Sequence, residues 1–578
     1  MKSRLLLSSA LLVAAAVSSP MWAAENTPMP APQMTSSVVS AEQAIDRAID
    51  REHALVESMR TYRPVVETYF QNVRPDEDLG TQPAGDQYFL GRMDMSDGVT
   101  EKFYTADFNG TTFKQRIFSP FHAISGAAKM QIEPMGFSHM IFIDRNGFDR
   151  AHYDFKFVRR EFLGEVRTMM FEVTPKTSKD HGRFLGRIWV EDEGYNIVRF
   201  NGVYTNPAAR QFYFHMDSWR ANVRPNVWVP SHVYSEEQNM QYSQFKRTSF
   251  KAQVRLWGYD LHAAGNQQEF STMTVDSPAV KDEAAASADN SPVESFRQWQ
   301  REAENNILDK MERSGLLAPE GDVDKVLGTV VNNLEITNNL DIQPEVRCRV
   351  LLTSPLESFT VGHTIVISRG LLDVLPDEAS LASVMAHELA HIVAGDGDQT
   401  RFAFSDKTLF ADDHSFEAFG FNHTPQQEQD ADKKAISFLQ NSPYKDKLAT
   451  AGLFLRQLQA RAAGMPELTK ARMGTGLVVD GKVSRMPELM NSAPELKNRD
   501  TAQIAALPLG GRIKIDAWDD HVEMSKAKNV ALISPKEKFP LEITPYTPRL
   551  TRMKAGDVKA DNATPAAEPK IASNGSAQ

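Results

Sequence analysis

The stretch PDEASLASVMAHELAHIVAG, residues 376–395, contains the pentapeptide His387-Glu388-Leu389-Ala390-His391 within a long helix-forming run. Pro376 suits the first turn of a helix, and no helix breaker follows before Gly395. Residues i and i+4 of a helix share one face, so both histidines can direct a ring nitrogen at one metal ion. Glu388 would then lie beside the metal, where its carboxylate can deprotonate a water molecule acidified by zinc. The stretch predicts a helix that carries a zinc-dependent hydrolytic site.

Apolar residues cover much of this predicted helix, as expected when a helix is buried in a domain. They are Leu381, Val384, Met385, Leu389, Ile392 and Val393. A buried helix that presents two histidines and a glutamate to nothing would be costly. The metal site is therefore favoured over two ordinary core histidines beside a surface glutamate.

A catalytic zinc site needs a third protein ligand. The metzincin extension of the motif is absent, because Ala394 and Gly397 stand where it requires glycine and histidine. A second predicted helix opens at Thr424-Pro425 and places Glu428 and Asp432 on one face. Glu428 is the predicted third ligand, and Asp432 is predicted to accept the free ring N–H of a zinc histidine.

Other acidic and imidazole groups compete for the role of third ligand. They lie in a loop without helical spacing and are His414, Glu417 and His423. The alternative for Glu428 and Asp432 is a solvated acidic helix start. The loop residues rank below Glu428 because a ligand from a regular helix has a defined direction.

The E-x-x-A-D pattern at residues 428–432, downstream of H-E-x-x-H, resembles that of the CaaX-prenyl-protease and HtpX-like zinc metallopeptidases, including their soluble periplasmic BepA-like members. The strand-like stretch from Glu357 that ends in Gly370-Leu371-Leu372 is similar to the layout of this family. The resemblance covers roughly residues 295 to 510. It implies a mostly helical, gluzincin-type domain with a small edge sheet and Zn²⁺ as cofactor.

In that family, the strand before the metal helix borders the cleft and pairs with the extended substrate backbone. By resemblance the candidate substrate-binding residues are Val361, Gly362, His363, Thr364 and Ile365. The alternative is an ordinary internal strand.

One departure from the family concerns a His-Pro pair followed by an arginine. Here Ala493-Pro494 replaces the pair, whereas Arg499 is retained as a candidate cleft residue or an ordinary surface arginine. The missing histidine leaves open whether the site is active or latent.

The N-terminus predicts a secretory signal peptide over residues 1–24. Lys2 and Arg4 precede an apolar run, and small residues at Ala23 and Ala24 offer a cleavage site. No later window approaches about 18 uninterrupted apolar residues, so a soluble periplasmic or secreted product is expected. Peripheral membrane contact remains open.

Residues 40–275 predict an antiparallel β domain after a helix-like stretch at 41–72. Short alternating runs broken by turns indicate strands at 140–143, 153–158, 168–174, 186–190 and 196–200. The runs around Phe171–Pro175 and Gly186–Asp192 are similar to the LolA-like lipoprotein-carrier fold, a half-barrel that holds acyl chains. An all-β domain that docks a protein or binds nothing is the alternative.

The rest of the chain divides by composition. A small, polar linker is predicted at 276–292, the peptidase domain at 293–510, a small β-containing segment at 511–555 and a disordered tail at 556–578. The single cysteine, Cys348, excludes an intrachain disulfide and is expected to be buried in a strand. A net charge of −11 disfavours nucleic-acid binding.

These features predict a multidomain α+β protein that acts as a periplasmic zinc endopeptidase. By resemblance, its partners would be extended or misfolded envelope proteins, with lipoproteins or outer-membrane assembly factors as further candidates. The rival prediction is a latent or non-catalytic envelope chaperone or lipoprotein-binding protein that works through its β domain.

Overall fold

A ten-stranded antiparallel sheet is built from the N-terminal half of the chain. Its strands are β1 Val65–Asp76, β2 Gly80–Asp94, β3 Thr100–Phe103, β4 Tyr153–Leu163, β5 Val166–Pro175, β6 Phe184–Glu191, β7 Ile197–Tyr204, β8 Met216–Arg224, β9 Val227–Ser243 and β10 Lys246–Trp257. The order across the sheet is β3-β2-β1-β10-β9-β8-β7-β6-β5-β4. The chain therefore runs along the sheet from β4 to β10 and closes on β1, the first strand.

This computed structural model describes most of the chain in twelve ranges. They are residues 40–96, 100–103, 134–177, 179–207, 212–243, 246–259, 292–396, 421–503, 513–515, 522–524, 541–545 and 549–553. The predicted signal peptide, the linker apart from Pro292 and the tail at 556–578 lie outside them.

The helix expected at 41–72 is shorter than predicted. Helix α1 spans Ala41–Met59, and β1 begins at Val65. Pro64 explains the change, because a proline disfavours the helical conformation of the residue before it. The strand expected at 140–143 is also wrong: α2, Pro134–Ser138, continues into a 3₁₀ turn at His139–Ile141. Residues 140–143 are all apolar and all buried, so their pattern carried no period.

Helix α1 is fastened to the sheet by a buried ion pair. The Glu52 carboxylate lies 2.8 Å from Nη2 and 2.7 Å from Nη1 of Arg220 on β8. Neither side chain is more than 2% exposed. Arg220 also donates to the carbonyl of Ile197, so the pair joins α1, β7 and β8.

The C-terminal half is mostly helical. Its helices are α3 Pro292–Arg313, α4 Asp322–Thr337, α5 Arg369–Val374, α6 Glu378–Ala394, α7 Pro425–Gln440, α8 Leu448–Arg461, α9 Pro466–Thr469 and α10 Pro487–Ser492. Its strands are β11 Arg347–Leu351, β12 Ser358–Val361, β13 Thr364–Ser368, β14 Val478–Val479, β15 Lys482–Val483, β16 Ile513–Ile515 and β17 Val522–Met524. The first three form a sheet of order β11-β13-β12, and the others form two small hairpins.

The large sheet and the helical half share a hydrophobic core. Tyr69, Tyr88 and Trp257 of the sheet belong to the same buried cluster as the interior of α6 and α8. Trp257 also donates its indole N–H to the carbonyl of Gly315 at 2.7 Å. Ala41–Gln578 accordingly forms one compact unit. The domain boundaries read from composition remain a prediction.

Buried polar groups cross the same contact. Glu67 on β1 accepts hydrogen bonds from Arg255 on β10 and from the backbone and hydroxyl of Ser354. Asp86 on β2 accepts the backbone N–H groups of Glu467 and Leu468 in α9. Because buried polar groups require partners, these carboxylates make the packing of the two halves specific.

The C-terminal segment returns to the large sheet. Gln71 of β1 pairs with the backbone of Leu541 and Ile543, and Arg552 pairs with Glu191, the last residue of β6. Residues 525–540 of the β-containing segment predicted at 511–555 lie outside the described ranges. None of the helices in those ranges is both long and apolar enough to cross a membrane.

Candidate metal centre

Helix α6 carries the H-E-x-x-H motif and is fixed at both ends. The Asp377 side chain accepts the N–H of Ser380 at the N-terminus. Gly395 ends the helix in the left-handed conformation, with φ 75°, which glycine adopts without a steric penalty. His387, Glu388 and His391 have no solvent exposure. The motif is therefore held in a rigid, buried helix, as predicted.

Helix α7 supplies the remaining predicted groups. Thr424 accepts the N–H of Gln427 at its N-terminus, the Gln427 side chain accepts the Thr424 N–H in return, and Pro425 occupies the first turn. This capping box starts the helix so that Glu428 and Asp432, one turn apart, face α6. The predicted helix and its facing carboxylates are both present.

Three predicted ligand atoms converge between α6 and α7. The Nε2 atoms of His387 and His391 are 3.2 Å apart. Glu428 Oε2 lies 3.2 Å from His387 Nε2, and Glu428 Oε1 lies 3.8 Å from His391 Nε2. These separations suit a tetrahedral zinc site, in which ligand atoms stand about 2 Å from the metal.

The outer ring nitrogens of both histidines face carboxylates. His387 Nδ1 is 2.8 Å from Asp432 Oδ1, and His391 Nδ1 is 3.0 Å from Asp396 Oδ2. Since an ionised carboxylate only accepts hydrogen bonds, each Nδ1 carries a proton, and when the rings are neutral each directs an Nε2 lone pair inward. In that state two lone pairs and the Glu428 carboxylate meet without a donor, an arrangement that a divalent cation stabilises.

The electrostatics of the cluster agree with cation binding. Burial opposes ionisation of Glu428, but His387 and the Arg485 charge together hold the pKa of Glu428 far below its usual range. Burial and Arg485 lower the pKa of His387, yet Asp432 and Glu428 outweigh them and raise it. Burial lowers the pKa of His391. The cluster therefore attracts one positive charge at the point where the three ligands meet.

Glu388 has two oxygens in different surroundings. Oε1 accepts hydrogen bonds from Ser358 Oγ at 2.7 Å and from Arg485 Nη1 at 2.6 Å. Oε2 is buried and has no hydrogen-bond partner among the described residues. Burial raises the pKa of Glu388, but Arg485 and the two histidines bring it below its ordinary value. The carboxylate is therefore ionised and anchored at one oxygen.

His423 lies beside the site but in an orientation unsuited to sharing a metal with His391. The two rings stack with centroids 3.8 Å apart and planes 11° apart. A metal lies near the plane of an imidazole ligand, and the planes of parallel, stacked rings do not meet. His391, Asp396 and His423 do form a second cluster, whose ligand atoms, like those of His387, His391 and Glu428, all lie within 4.8 Å of one another. His414 and Glu417 lie outside the described ranges.

The free edge of the small sheet is not where the sequence placed it. Thr364 and Ile365 belong to β13, which is paired on both sides by β11 and β12. Gly362 and His363 form the connecting turn, and His363 donates its backbone N–H to Glu304. Of the predicted residues only Val361 is in β12, one of the two strands at the edges of this sheet as described.

Two further predictions concern the region after β15. Arg499 does not reach the site, because its side chain is 81% exposed and pairs with Asp78. Ala493 is buried next to Gly452 of α8 and carries no polar group. The nearby guanidinium is instead that of Arg485, which is 2% exposed.

Three groups at the site were not predicted from the sequence. They are Ser358, Asp396 and Arg485. Asp396 follows the glycine that ends α6, and this was the one local signal available, since the residue after a helix can fold back on its last turn. Ser358 and Arg485 come from elements distant in sequence, and no spacing rule connects them to the motif.

Residues 349–409 match the model of Peptidase family M48. The match begins in β11 and includes α6, so it covers His387, Glu388 and His391. Glu428 and Arg485 lie beyond it. No curated protein matches the chain. The family match supports a zinc-dependent metallopeptidase domain, and the His-His-Glu cluster supplies ligands of the appropriate type.

Proposed function

We propose that the chain is a zinc-dependent endopeptidase with His387, His391 and Glu428 as metal ligands and Glu388 as general base. The observation that carries the proposal is the convergence of two Nε2 lone pairs and one carboxylate beside an anchored glutamate. Three protein ligands leave a fourth position for water, as a catalytic rather than a structural zinc site requires.

Zn²⁺ bound by these residues would polarise a scissile carbonyl and acidify a water molecule. Asp432 and Asp396 hold the two imidazole rings in the tautomer that directs Nε2 inward. Glu388 receives the water proton at Oε2 and passes it to the leaving amine. β12 would offer an edge to which an extended peptide adds as a further strand once the residues that bury it move aside.

The proposed setting is the bacterial periplasm, entered by means of the signal peptide predicted at residues 1–24. Extended or misfolded envelope proteins are the proposed substrates, in line with the resemblance of residues 428–432 to BepA-like peptidases. The same proposal holds that the N-terminal sheet is LolA-like. Lipoproteins or outer-membrane assembly factors are its proposed partners.

The test is cleavage of casein by the purified mature chain, compared with Glu388→Gln. Loss of the general base should lower kcat about 10²- to 10⁴-fold because proton transfer contributes a factor of that size. Zinc content, measured by atomic absorption, should stay at one per chain in both proteins. If both bind zinc and both are equally inactive on every substrate, the endopeptidase proposal fails.

A second function, a latent envelope chaperone or lipoprotein-binding protein, has an observation in its favour. The three motif residues are fully buried, and no residue of β12 is more than 1% exposed. A substrate must therefore open the site before it can bind. This function would be supported if the wild type cleaves no substrate and Glu388→Gln suppresses the aggregation of an unfolded protein other than casein.

A further inference from the structure

Arg485, which lies outside α6 and α7, contacts both the proposed base and the proposed third ligand. Its Nη1 lies 2.6 Å from Glu388 Oε1, and its Nε lies 3.5 Å from Glu428 Oε2. The guanidinium also contacts Ser358 at its hydroxyl and its carbonyl oxygen, at 2.9 and 3.3 Å. One planar cation thus touches α6, α7 and β12.

The contact is asymmetric in a way that matters for proton transfer. Arg485 and Ser358 both bind Glu388 Oε1, whereas Oε2 has no partner among the described residues. An unpaired, buried carboxylate oxygen costs free energy, and a hydrogen-bond donor that binds at this oxygen would remove the cost. A water molecule at the fourth metal position is such a donor.

Arginine suits this task better than lysine. Its rigid fork can hold two carboxylates and a carbonyl in one plane, whereas an ammonium group provides a single charged point. The segment that carries it is itself fastened: Val483 N–H donates to Gln459 of α8, and Ser484 Oγ donates to the carbonyl of Gly476. Met486, directly after Arg485, has φ 50°, a conformation costly for a residue with a side chain.

We propose that Arg485 is a positioning residue that holds Glu388 by Oε1, so that Oε2 stays directed at the water to be deprotonated. The role rests on the proposed zinc site and on Glu388 as its base. Arg485 acts through Glu388 and takes no part in the proton transfer. Its link to Glu428 fixes the distance between the base and the metal ligand.

A readout independent of proteolysis is the affinity for acetohydroxamate. A hydroxamic acid binds zinc through its two oxygens while its N–OH proton passes to the neighbouring carboxylate. Its affinity therefore reports whether Glu388 is in place, whatever the protein cleaves. The titration uses the zinc-loaded mature chain as wild type, Arg485→Met, Glu388→Gln and the double variant.

Arg485→Met should weaken hydroxamate binding about tenfold in the wild-type background, as is typical for residues in direct contact. In the Glu388→Gln background it should have no further effect, because the group through which it acts is gone. On a cleaved substrate, kcat should fall about 100-fold with little change in KM, since a misplaced base slows the chemical step. Arg485→Lys should keep more activity than Arg485→Met.

Lys482→Met is the matched control, because Lys482 is exposed on β15 in the same segment. It should match wild type in hydroxamate affinity. Every variant must hold one zinc per chain and show the wild-type circular dichroism spectrum, and Arg485→Lys serves if Arg485→Met does not fold.

Three results would overturn the positioning role: equal losses in both backgrounds, loss of zinc from a folded Arg485→Lys, or faster cleavage without Arg485. Failure of zinc-loaded wild type to bind hydroxamate would also overturn it. Coupling without any proteolysis would reject the endopeptidase proposal alone. Proteolysis without coupling would reject the positioning role alone.

Discussion

Glu428 Oε1 lies 3.8 Å from His391 Nε2, whereas the His423 ring stacks on the His391 ring, so Glu428 is better placed to share a metal with His391. Glu428→Ala should weaken zinc binding more than about 100-fold, exceeding the effect typical of outer groups, because one of three ligands is lost. His423→Ala should leave the affinity within about threefold of wild type. Chelator competition measures both values, and the reverse ranking would reassign the third ligand to His423.

At the scale of single residues, the sequence alone predicted those groups of the site that lie one turn apart on the same helix. His387 and His391 are one turn apart on α6, and Glu428 and Asp432 are one turn apart on α7, so each pair was predicted from periodicity. Their meeting across two helices was predicted from the need for a third zinc ligand, and the family resemblance agreed with that choice. Ser358 and Arg485 were missed because tertiary packing, which no local pattern encodes, brings them to the site, whereas Asp396 was missed although its position after Gly395 was a local signal.

At the scale of elements, the buried ion pair between Glu52 of α1 and Arg220 of the sheet can be tested by substitution. Glu52→Ala would leave the Arg220 charge buried without its partner and should destabilise the fold by about 3–5 kcal/mol. The paired change Glu52→Met with Arg220→Met should cost less, since both charges are removed together. Urea unfolding of the mature chain measures the difference. A smaller loss for Glu52→Ala than for the pair would contradict the ion-pair account.

How accurately each element was predicted depended on whether local residues mark its ends. α6 and α7 were predicted well because proline, capping residues and glycine mark their ends. The edge strand was misplaced, because the run from Ser358 to Ser368 is apolar on both sides of its turn and gave no clue to which strand was outermost. Edge position depends on the strand order β11-β13-β12, and this order follows from the parallel pairing of β11 with β13.

At the scale of the whole molecule, Asp86 makes the contact between the sheet and the helical half sensitive to pH. Burial raises its pKa to about 6, although the N–H groups of Glu467 and Leu468 oppose the shift. A carboxyl with a raised pKa binds more protons when folded, so its contribution to stability is full below about pH 4 and is lost as the pH rises to 6. A shift of about two units corresponds to about 3 kcal/mol.

Asp86→Asn should therefore flatten the pH dependence of stability between pH 4 and 7. The measurement is the free energy of unfolding of wild type and variant at several pH values in this window. Subtracting the two curves removes the contributions of other carboxyls. Parallel curves would show that Asp86 titrates normally in the folded protein.

The buried contacts of Glu67, Asp86 and Trp257 also bear on how such a chain can change during evolution. A module that folds alone can be exchanged for another without loss, but here the helical half completes its interior with side chains of the sheet. A replacement sheet would have to bring a carboxylate for Ser354, a second one for α9 and an indole for Gly315. The two halves are therefore expected to have been inherited together, with substitutions on one side of the contact compensated on the other.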